Sequence, residues 1–420
     1  MATLLVFLLP WQTRWIYHPV KLNGSFWEYG TQSLYATEVL LWLIIILFAI
    51  GQFSRREFWS KVFRKKPSRY YWPVAALVAV YMALQVFGHA HPEITTEFIF
   101  HLLEAACFFV ILTYLLKEER AAFPLSLALW LAGVGQALVG LSQFAAQEVY
   151  PNKWLGLAYQ SPFQPGSGVI DAPLGHILRA YGSLGGPNPF GIFLAVIYVF
   201  GLLLYMKRPS IWLLAGQAVI ASGLIVSFSR AGWLAGAVGT ITLAIFLYRR
   251  RAALALRSVV KQSAMAILLA AVAFVWLLPA FTTRLIPTAT LEQYSINDRM
   301  EQYTAAFSLA PADWLFGAGL GLYTYQLYRL NPHAPGWQYQ PIHDAYVLLA
   351  SEGGLVGALL FALFVYWLIK KIWAVNPFYV AVLITLATAS LFEHFMWSLY
   401  VGQLFSWTIF AFGFQKKIDS

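Results

Sequence analysis

The chain has 420 residues, of which 60% are hydrophobic, 17% are aromatic and only 11% are charged. A water-soluble domain carries roughly a quarter charged residues, so this composition excludes a soluble globular protein. The net charge of +10 does not indicate nucleic-acid binding, because most Lys and Arg fall in short segments between apolar runs. We therefore expect a membrane protein with membrane lipids, and no nucleic acid, as partners.

Apolar runs of about 20 residues, the length that crosses a bilayer as a helix, recur along the whole chain. They do not alternate between polar and apolar residues, which argues against a β-barrel and leaves helices. We predict an all-α, polytopic membrane protein with about twelve spans, built as one membrane domain over residues 1–420. The predicted spans are Met1–Tyr17, Leu34–Phe53, Tyr71–Gly88, Phe98–Leu116, Phe123–Ala145, Pro187–Met206, Ile211–Ser227, Ala231–Tyr248, Ser258–Ala280, His343–Ile369, Phe378–Phe395 and Trp397–Phe414.

Basic residues are distributed unevenly between the two ends of these spans, and 20 of the 28 Lys and Arg lie on one side. They include the segments Arg55–Arg69 and Arg249–Lys261, and Lys416 and Lys417 in the tail. Cytoplasmic loops of membrane proteins carry this excess of positive charge. The bias predicts that both termini lie in the cytoplasm.

Two long loops, Ala146–Gly186 and Phe281–Ile342, then lie on the opposite face. Loops of this length between short connections usually carry function. The second loop contains apolar residues at helical spacing from Asn297, a good N-cap, to Leu309, which predicts an amphipathic helix along the interface. Further along it, the glycines of Gly317–Gly321 either cradle a phosphate or form a turn, and we favour the turn.

Few cations remain on this outer face, and four arginines stand out among them: Arg179, Arg230, Arg299 and Arg329. Arginine keeps its charge and presents a planar fork of donors that suits phosphate oxygens. A lipid-linked diphosphate would need such a cluster. The alternative is that each arginine contacts lipid headgroups or pairs with a carboxylate such as Asp298.

His343 is the first residue of the span that follows the second loop, and Asp344 is its neighbour. A histidine with an ordinary pKa near neutrality can act as general base toward a hydroxyl group. Asp344 is better placed to cap the following helix than to orient His343, since adjacent residues point about 100° apart on a helix. A role for His343 at the helix start without catalysis is the alternative.

Ionisable residues also occur inside or near the predicted spans, namely His101, Glu104, Glu393 and His394. Such residues commonly belong to proton or ion pathways. They favour a different class of protein, a polysaccharide or lipid transporter.

Four segments resemble motifs of the O-antigen ligase and polymerase superfamily. His343-Asp344, nine residues, Gly354, two residues and Gly357 resemble the signature of O-antigen ligases, which has Asn, Ser or Gln at the place of Asp344. The other three are similar to superfamily segments that precede this signature: RAYGSLGGPNPFG (Arg179–Gly191), SFSRAGWLAG (Ser227–Gly236) and DRMEQYTAAFSLAPADWLFGAGLG (Asp298–Gly321).

The resemblance implies a glycosyltransferase of the GT-C type in the bacterial inner membrane, with its active site in the periplasm. It implies a glycan donor linked to undecaprenyl diphosphate, held by Arg230 and Arg299, and His343 as the base. Glycosyl transfer needs the charge that develops on the leaving diphosphate to be neutralised. We expect no metal and no other cofactor, since no Asp-x-Asp carboxylate cluster is present.

Four further residues are candidates for substrate binding, Arg179, Asn188, Arg329 and Tyr323. The acceptor decides the activity: lipid A–core in an O-antigen ligase, a second lipid-linked glycan in a polymerase, or a protein hydroxyl in an O-oligosaccharyltransferase. The spacing after His343 favours the ligase. The polymerase, the protein O-oligosaccharyltransferase and the transporter remain as alternatives.

Overall fold

A computed structural model describes residues 1–53, 71–172, 175–285, 290–309 and 314–415. The fold is all-α and polytopic, as predicted: within these ranges six helices are long and apolar enough to cross a membrane, and four shorter apolar helices accompany them. The helices are α1 (Ala2–Leu8), α2 (Ala36–Phe53), α3 (Tyr71–Phe87), α4 (Pro92–Leu115), α5 (Glu119–Ala146), α6 (Pro187–Lys207), α7 (Ile211–Val226), α8 (Arg230–Arg249), α9 (Ala253–Trp276), α10 (Leu278–Leu285), α11 (Thr290–Leu309), α12 (Tyr323–Leu330), α13 (Ala345–Val375), α14 (Val380–Ser390), α15 (Phe395–Ser398) and α16 (Tyr400–Phe412).

The core of the molecule forms around α6, which begins at Pro187, a residue whose fixed backbone angle suits the first turn of a helix. Its residues are apolar on all sides, and most of its length is buried. Helices α5, α7, α8 and α14 pack against it. A helix that is hydrophobic all round belongs inside a bundle, and α6 occupies that place.

The predicted first span, Met1–Tyr17, is wrong. The helix α1 has only seven residues, about 10 Å at 1.5 Å per residue, and is too short to cross a bilayer. Pro10 ends the apolar run, and the chain continues into a strand that begins at Arg14. Leu5 and Leu9 are buried, and α1 packs against α5 instead.

Three small antiparallel sheets lie between the helices. Strands β1 (Arg14–His18) and β4 (Gln32–Tyr35) pair with each other, and β2 (Lys21–Leu22) pairs with β3 (Ser25–Phe26). In the first long loop, β5 (Val169–Ala172) pairs with β6 (Gly175–Leu178). These strands are short, and β5 packs against α10.

The second long loop is largely helical and contains α10, α11 and α12. A helix is present as predicted, but its apolar residues do not gather on one face as an amphipathic helix requires; it also begins at Thr290, so Asn297 lies inside α11 and is not its N-cap. The end at Leu309 agrees with the prediction. Its first two turns mix polar residues with Leu291, Tyr294 and Ile296, and the good capping residue Asn297 suggested a start one or two turns too late.

A break in α13 explains why the signature has a glycine at position 354. Gly354 has φ +64°, and a Cβ there would lie 2.4 Å from the backbone nitrogen of Gly317. The glycine-rich segment inserts at this break: the N–H of Ala318 donates to the carbonyl of Ser351 at 2.8 Å, and the N–H of Gly319 to that of Glu352 at 3.0 Å. These donors are used within the fold, as in the predicted turn.

Another predicted span, Phe378–Phe395, is interrupted. Helix α14 ends at Ser390, and Glu393 and His394 lie in a connection before the short helix α15. Two adjacent ionisable residues do not continue an apolar helix, and their side chains take part in the site described below. The segment Arg55–Arg69, Lys416 and Lys417, on which much of the predicted orientation rests, lie outside the described residues.

Candidate active site

A cavity of about 450 Å³ lies where several helix ends meet. It is bounded by the starts of α6 and α8, by α10 and α11, by the segment before α13 and by the segment after α14. Its lining residues are Asn188, Arg230, Ala231, Leu234, Arg284, Arg299, Met300, Gln302, Tyr303, Ile342, His343, Leu391 and Phe392. Four residues predicted from the sequence, Asn188, Arg230, Arg299 and His343, thus share one cavity.

Three arginines face this cavity: Arg230, Arg284 and Arg299. Arg230 is the first residue of α8, and the Ser229 hydroxyl caps that helix by accepting from the N–H of Gly232 at 3.2 Å. The guanidinium of Arg230 also donates to the carbonyl of Arg284 at 3.4 Å. Three guanidinium groups around one space form a strongly cationic pocket.

The turn before α8 holds two of the basic side chains in place. Phe228 has φ +48°, an uncommon conformation for a residue with a side chain. Its carbonyl accepts from Nε of Arg284 at 3.0 Å and from Nη2 of Arg179 at 3.3 Å. Arg284 is only 7% exposed, so this bond fixes a guanidinium that water hardly reaches.

Arg179 lies behind the cavity, and it is not among the lining residues. Its Nε donates to the carbonyl of Ser227 at 2.9 Å, and its Nη2 donates to Oδ1 of Asn188 at 2.7 Å. The side chain is buried. Arg179 therefore connects the start of α6 to the turn before α8 and orients Asn188 in the cavity wall.

His343 forms an ion pair with Glu393, a residue far from it in the sequence. Nδ1 of His343 lies 3.4 Å from Oε1 of Glu393, and the buried His394 lies beside them, with ring centroids of the two histidines 5.1 Å apart. When Nδ1 carries its proton toward Glu393, the lone pair of Nε2 is available to a substrate.

The protonation states of these three residues follow from their surroundings. Burial lowers the pKa of His343, but Glu393 outweighs it and leaves that pKa above its ordinary value of 6.5. Burial raises the pKa of Glu393, and the two histidines, His343 foremost, more than offset this and hold it far below its usual range. Burial lowers the pKa of His394 to about 4, so His394 is neutral at neutral pH.

Asp344 caps α13, as predicted: its Oδ1 accepts from the N–H groups of Tyr346 and Val347 at 2.9 and 3.1 Å. Its Oδ2 accepts from the hydroxyl of Tyr303 at 3.0 Å. Oε1 of Gln302 accepts from the backbone N–H of His343 at 3.1 Å. These contacts attach α11, which carries Arg299, to the segment that carries His343.

Two of the predicted substrate-binding residues lie away from this cavity. Tyr323 is fully buried and packs against Ala306 and Leu348. Arg329 is exposed, and its Nη1 donates to Oε1 of Gln326 at 3.2 Å. Neither residue can therefore contact a substrate bound in this cavity.

Sequence patterns do not identify Arg284 or Glu393 as residues of this cavity or of its catalytic pair. Arg284 was visible as one of the few outer cations, and that was its only signal. Glu393 lies 50 residues after His343, and no local pattern shows that the chain folds back to join them. Only the packing of the segment after α14 against the start of α13 reveals the pair.

His343, Glu393 and His394 also fit the donor set of a metal ion, since their ligand atoms lie within 4.8 Å of one another. Two imidazoles and a carboxylate suit Zn²⁺ or Fe²⁺. The same geometry also suits a carboxylate that orients a catalytic base. These two roles make opposite predictions about the effect of a chelator on catalysis.

Residues 215–362 match a family model described as O-Antigen ligase. This segment contains Arg230, Arg284, Arg299 and His343. The match supports the assignment of the chain to the O-antigen ligase superfamily, which the motifs predicted, and with it a membrane enzyme of the glycosyltransferase type that acts on lipid-linked glycans. A search of curated proteins finds no match.

Proposed function

We propose that this member of the O-antigen ligase superfamily transfers a glycan from undecaprenyl diphosphate to an acceptor hydroxyl at the periplasmic face of the bacterial inner membrane. Among the acceptors, lipid A–core is the first choice, which makes the protein an O-antigen ligase. The observation that carries the proposal is the single cavity shared by Arg230, Arg284, Arg299 and His343.

The arginines suit the donor's diphosphate. A guanidinium binds two phosphate oxygens at once, and three of them offset the negative charge that grows on the leaving group. Arg284 is fixed by its bond to the carbonyl of Phe228, so its charge is in place before the substrate arrives. Arginines thereby do what a bound metal does in other glycosyltransferases.

His343 suits the acceptor. In the proposed step, the neutral imidazole takes the proton of the acceptor hydroxyl as that oxygen bonds to the anomeric carbon. The bond from this carbon to the diphosphate oxygen breaks at the same time, and undecaprenyl diphosphate leaves. A direct displacement of this kind inverts the anomeric centre, and Glu393 stabilises the imidazolium that forms.

The reaction centre in this proposal needs no metal ion. We expect transfer by wild-type protein to persist in EDTA, with the unfolding temperature measured in parallel to show that the fold is intact. If EDTA abolishes transfer without unfolding the protein, and Zn²⁺ restores it both in wild type and in Glu104→Gln, the trio of His343, Glu393 and His394 holds a catalytic metal instead.

The acceptor is tested with purified protein, a donor of undecaprenyl-diphosphate-linked oligosaccharide and three separate acceptors. Transfer to lipid A–core supports the ligase, extension of a second lipid-linked glycan supports the polymerase, and transfer to a protein hydroxyl supports the O-oligosaccharyltransferase. No transfer to any of them, with movement of the donor across a vesicle membrane, would support the transporter, which the buried carboxylates within the spans favour.

A further inference from the structure

A second cluster of ionisable side chains lies apart from the transfer cavity. Glu38 on α2 and His101 and Glu104 on α4 place their ligand atoms within 4.8 Å of one another. Glu38 and Glu104 are buried, and the helices α2 and α4 pack side by side. None of the three residues lines the transfer cavity, so the proposed reaction does not account for them.

The charges of this cluster are not balanced by the described part of the protein. Nε2 of His101 lies 4.0 Å from Oε2 of Glu38, and within the described ranges no lysine or arginine forms an ion pair with Glu38 or Glu104. Arg14 is engaged elsewhere, with its two terminal nitrogens 2.6 and 2.9 Å from the Glu28 carboxylate. Two adjacent buried carboxylates are costly unless a cation or a proton joins them.

Glu104 supplies an independent sign of a missing ligand. Its side chain is 2% exposed, and its Oε1 accepts from the indole N–H of Trp42. Its Oε2 is buried and has no hydrogen-bond partner. Glu38 is oriented in a similar way, since its Oε2 accepts from the backbone N–H of Tyr35 at 3.1 Å.

An acidic cavity gives access to the cluster. It measures about 390 Å³, and its lining includes Glu38 and His101 together with Glu93 and Glu97. A cavity whose titratable lining is mainly carboxylate raises the local concentration of cations. A metal site needs such a route as well as its ligands.

We propose that Glu38, His101 and Glu104 bind a divalent transition-metal ion, with Zn²⁺ as the best match. One imidazole and two carboxylates are ligands that Zn²⁺ accepts, whereas Mg²⁺ and Ca²⁺ prefer oxygen ligands alone. Ligand atoms about 2.1 Å from a tetrahedral Zn²⁺ lie roughly 3.4 Å from one another. Side-chain rotations that move these atoms by about 1 Å would therefore close the site around the ion. Water from the cavity completes the coordination, and the ion joins α2 to α4.

The test uses the full-length protein, purified with a tag that contains no histidine, stripped with EDTA and titrated with Zn²⁺. We expect wild type to bind an ion that Glu104→Gln and His101→Ala lose, with at least a tenfold weaker affinity in each variant. Glu97→Gln is the matched control, because Glu97 lines the same cavity but is not one of the three ligands. Its affinity should fall far less than tenfold, because Glu97 acts on the ion only through the charge of the cavity.

Two further measurements show whether the ion binds at this cluster or at the trio around His343. The first is Zn²⁺ binding by His343→Ala. The second is X-ray absorption at the zinc edge of wild-type protein, which remains informative even if a variant fails to fold. We expect His343→Ala to keep the ion and the spectrum to fit one imidazole with oxygen ligands. An ion lost in His343→Ala and kept in Glu104→Gln would overturn the proposal, as would a spectrum with two imidazoles. A wild-type protein that binds no Zn²⁺ would overturn the proposal too. A proton shared by the carboxylates of Glu38 and Glu104 would then be the remaining explanation of the cluster.

Discussion

At the scale of single residues, one carbonyl group organises much of the cationic pocket. The carbonyl of Phe228, in a turn with positive φ, accepts from both Arg179 and Arg284. A strained residue persists where the surrounding bonds over-determine it, and such residues cluster at functional sites. We interpret the turn as a structure that holds the Arg284 guanidinium ready for a diphosphate and fixes Arg179 behind the cavity wall.

The pair of Glu393 and His343 makes a prediction about pH. The proposed base must be neutral, so transfer should fall as the pH drops through the raised pKa of His343. Glu393→Gln removes the carboxylate that raises this pKa, and the acid limb of the rate profile should therefore move to lower pH. We also expect a loss of roughly 10-fold to 100-fold in kcat at high pH, within the contribution of a positioned base.

The measurement is the pH profile of kcat in wild type and Glu393→Gln. A role of Glu393 in packing alone would lower activity without moving the acid limb. An acid limb that stays in place, or moves to higher pH, would contradict the assigned role.

At the scale of elements, the break in α13 couples the glycine-rich segment to the helix of the signature. Gly354→Ala should destabilise the protein, because its φ of +64° suits glycine and the new Cβ would meet the backbone of Gly317. Strain of this kind costs roughly 1–3 kcal/mol from the backbone angle alone. Thermal unfolding in detergent measures it, with Gly135→Ala on α5 as control, since nothing lies within 4 Å of a Cβ there. Equal unfolding temperatures of the two variants would contradict this account.

Two variants of Asp344 show whether this residue only caps α13 or also takes part in transfer. Asp344→Asn keeps a good capping side chain, so we expect transfer and stability close to wild type. Asp344→Ala removes the cap and should cost about 1 kcal/mol of stability. If Asp344→Asn abolished transfer while its unfolding temperature stayed unchanged, Asp344 would have a direct part in the reaction.

At the scale of the whole molecule, the proposed orientation places the transfer cavity outside. Cysteines introduced in place of Lys153 and Arg251, in a Cys107→Ser background, report the two faces. A membrane-impermeant thiol reagent added to spheroplasts should label the first and reach the second only after permeabilisation. The reverse pattern would put the cavity in the cytoplasm.

The sequence predicted the long spans well, because hydrophobicity over about 20 residues is a local property. It failed at α1, where eight of the nine residues before Pro10 are apolar, but the helix is short and buries Leu5, Val6 and Leu9 inside the bundle without crossing the membrane. For the site, residue chemistry and motifs singled out Arg230, Arg299 and His343. They did not find the pairing of Glu393 with His343, since that contact depends on how two distant segments pack.

The central claim, that one cavity binds the diphosphate and activates the acceptor, is tested most directly by measuring donor binding and transfer in the same preparations. His343→Ala should bind the undecaprenyl-diphosphate-linked glycan with the affinity of wild type and transfer it about 10²-fold to 10⁴-fold more slowly. Arg230→Lys should weaken the binding, transfer or both, and Arg257→Lys, the same change at an exposed residue of α9, should do neither. Transfer at the wild-type rate by His343→Ala, or donor binding and transfer that Arg230→Lys leaves intact, would contradict the account.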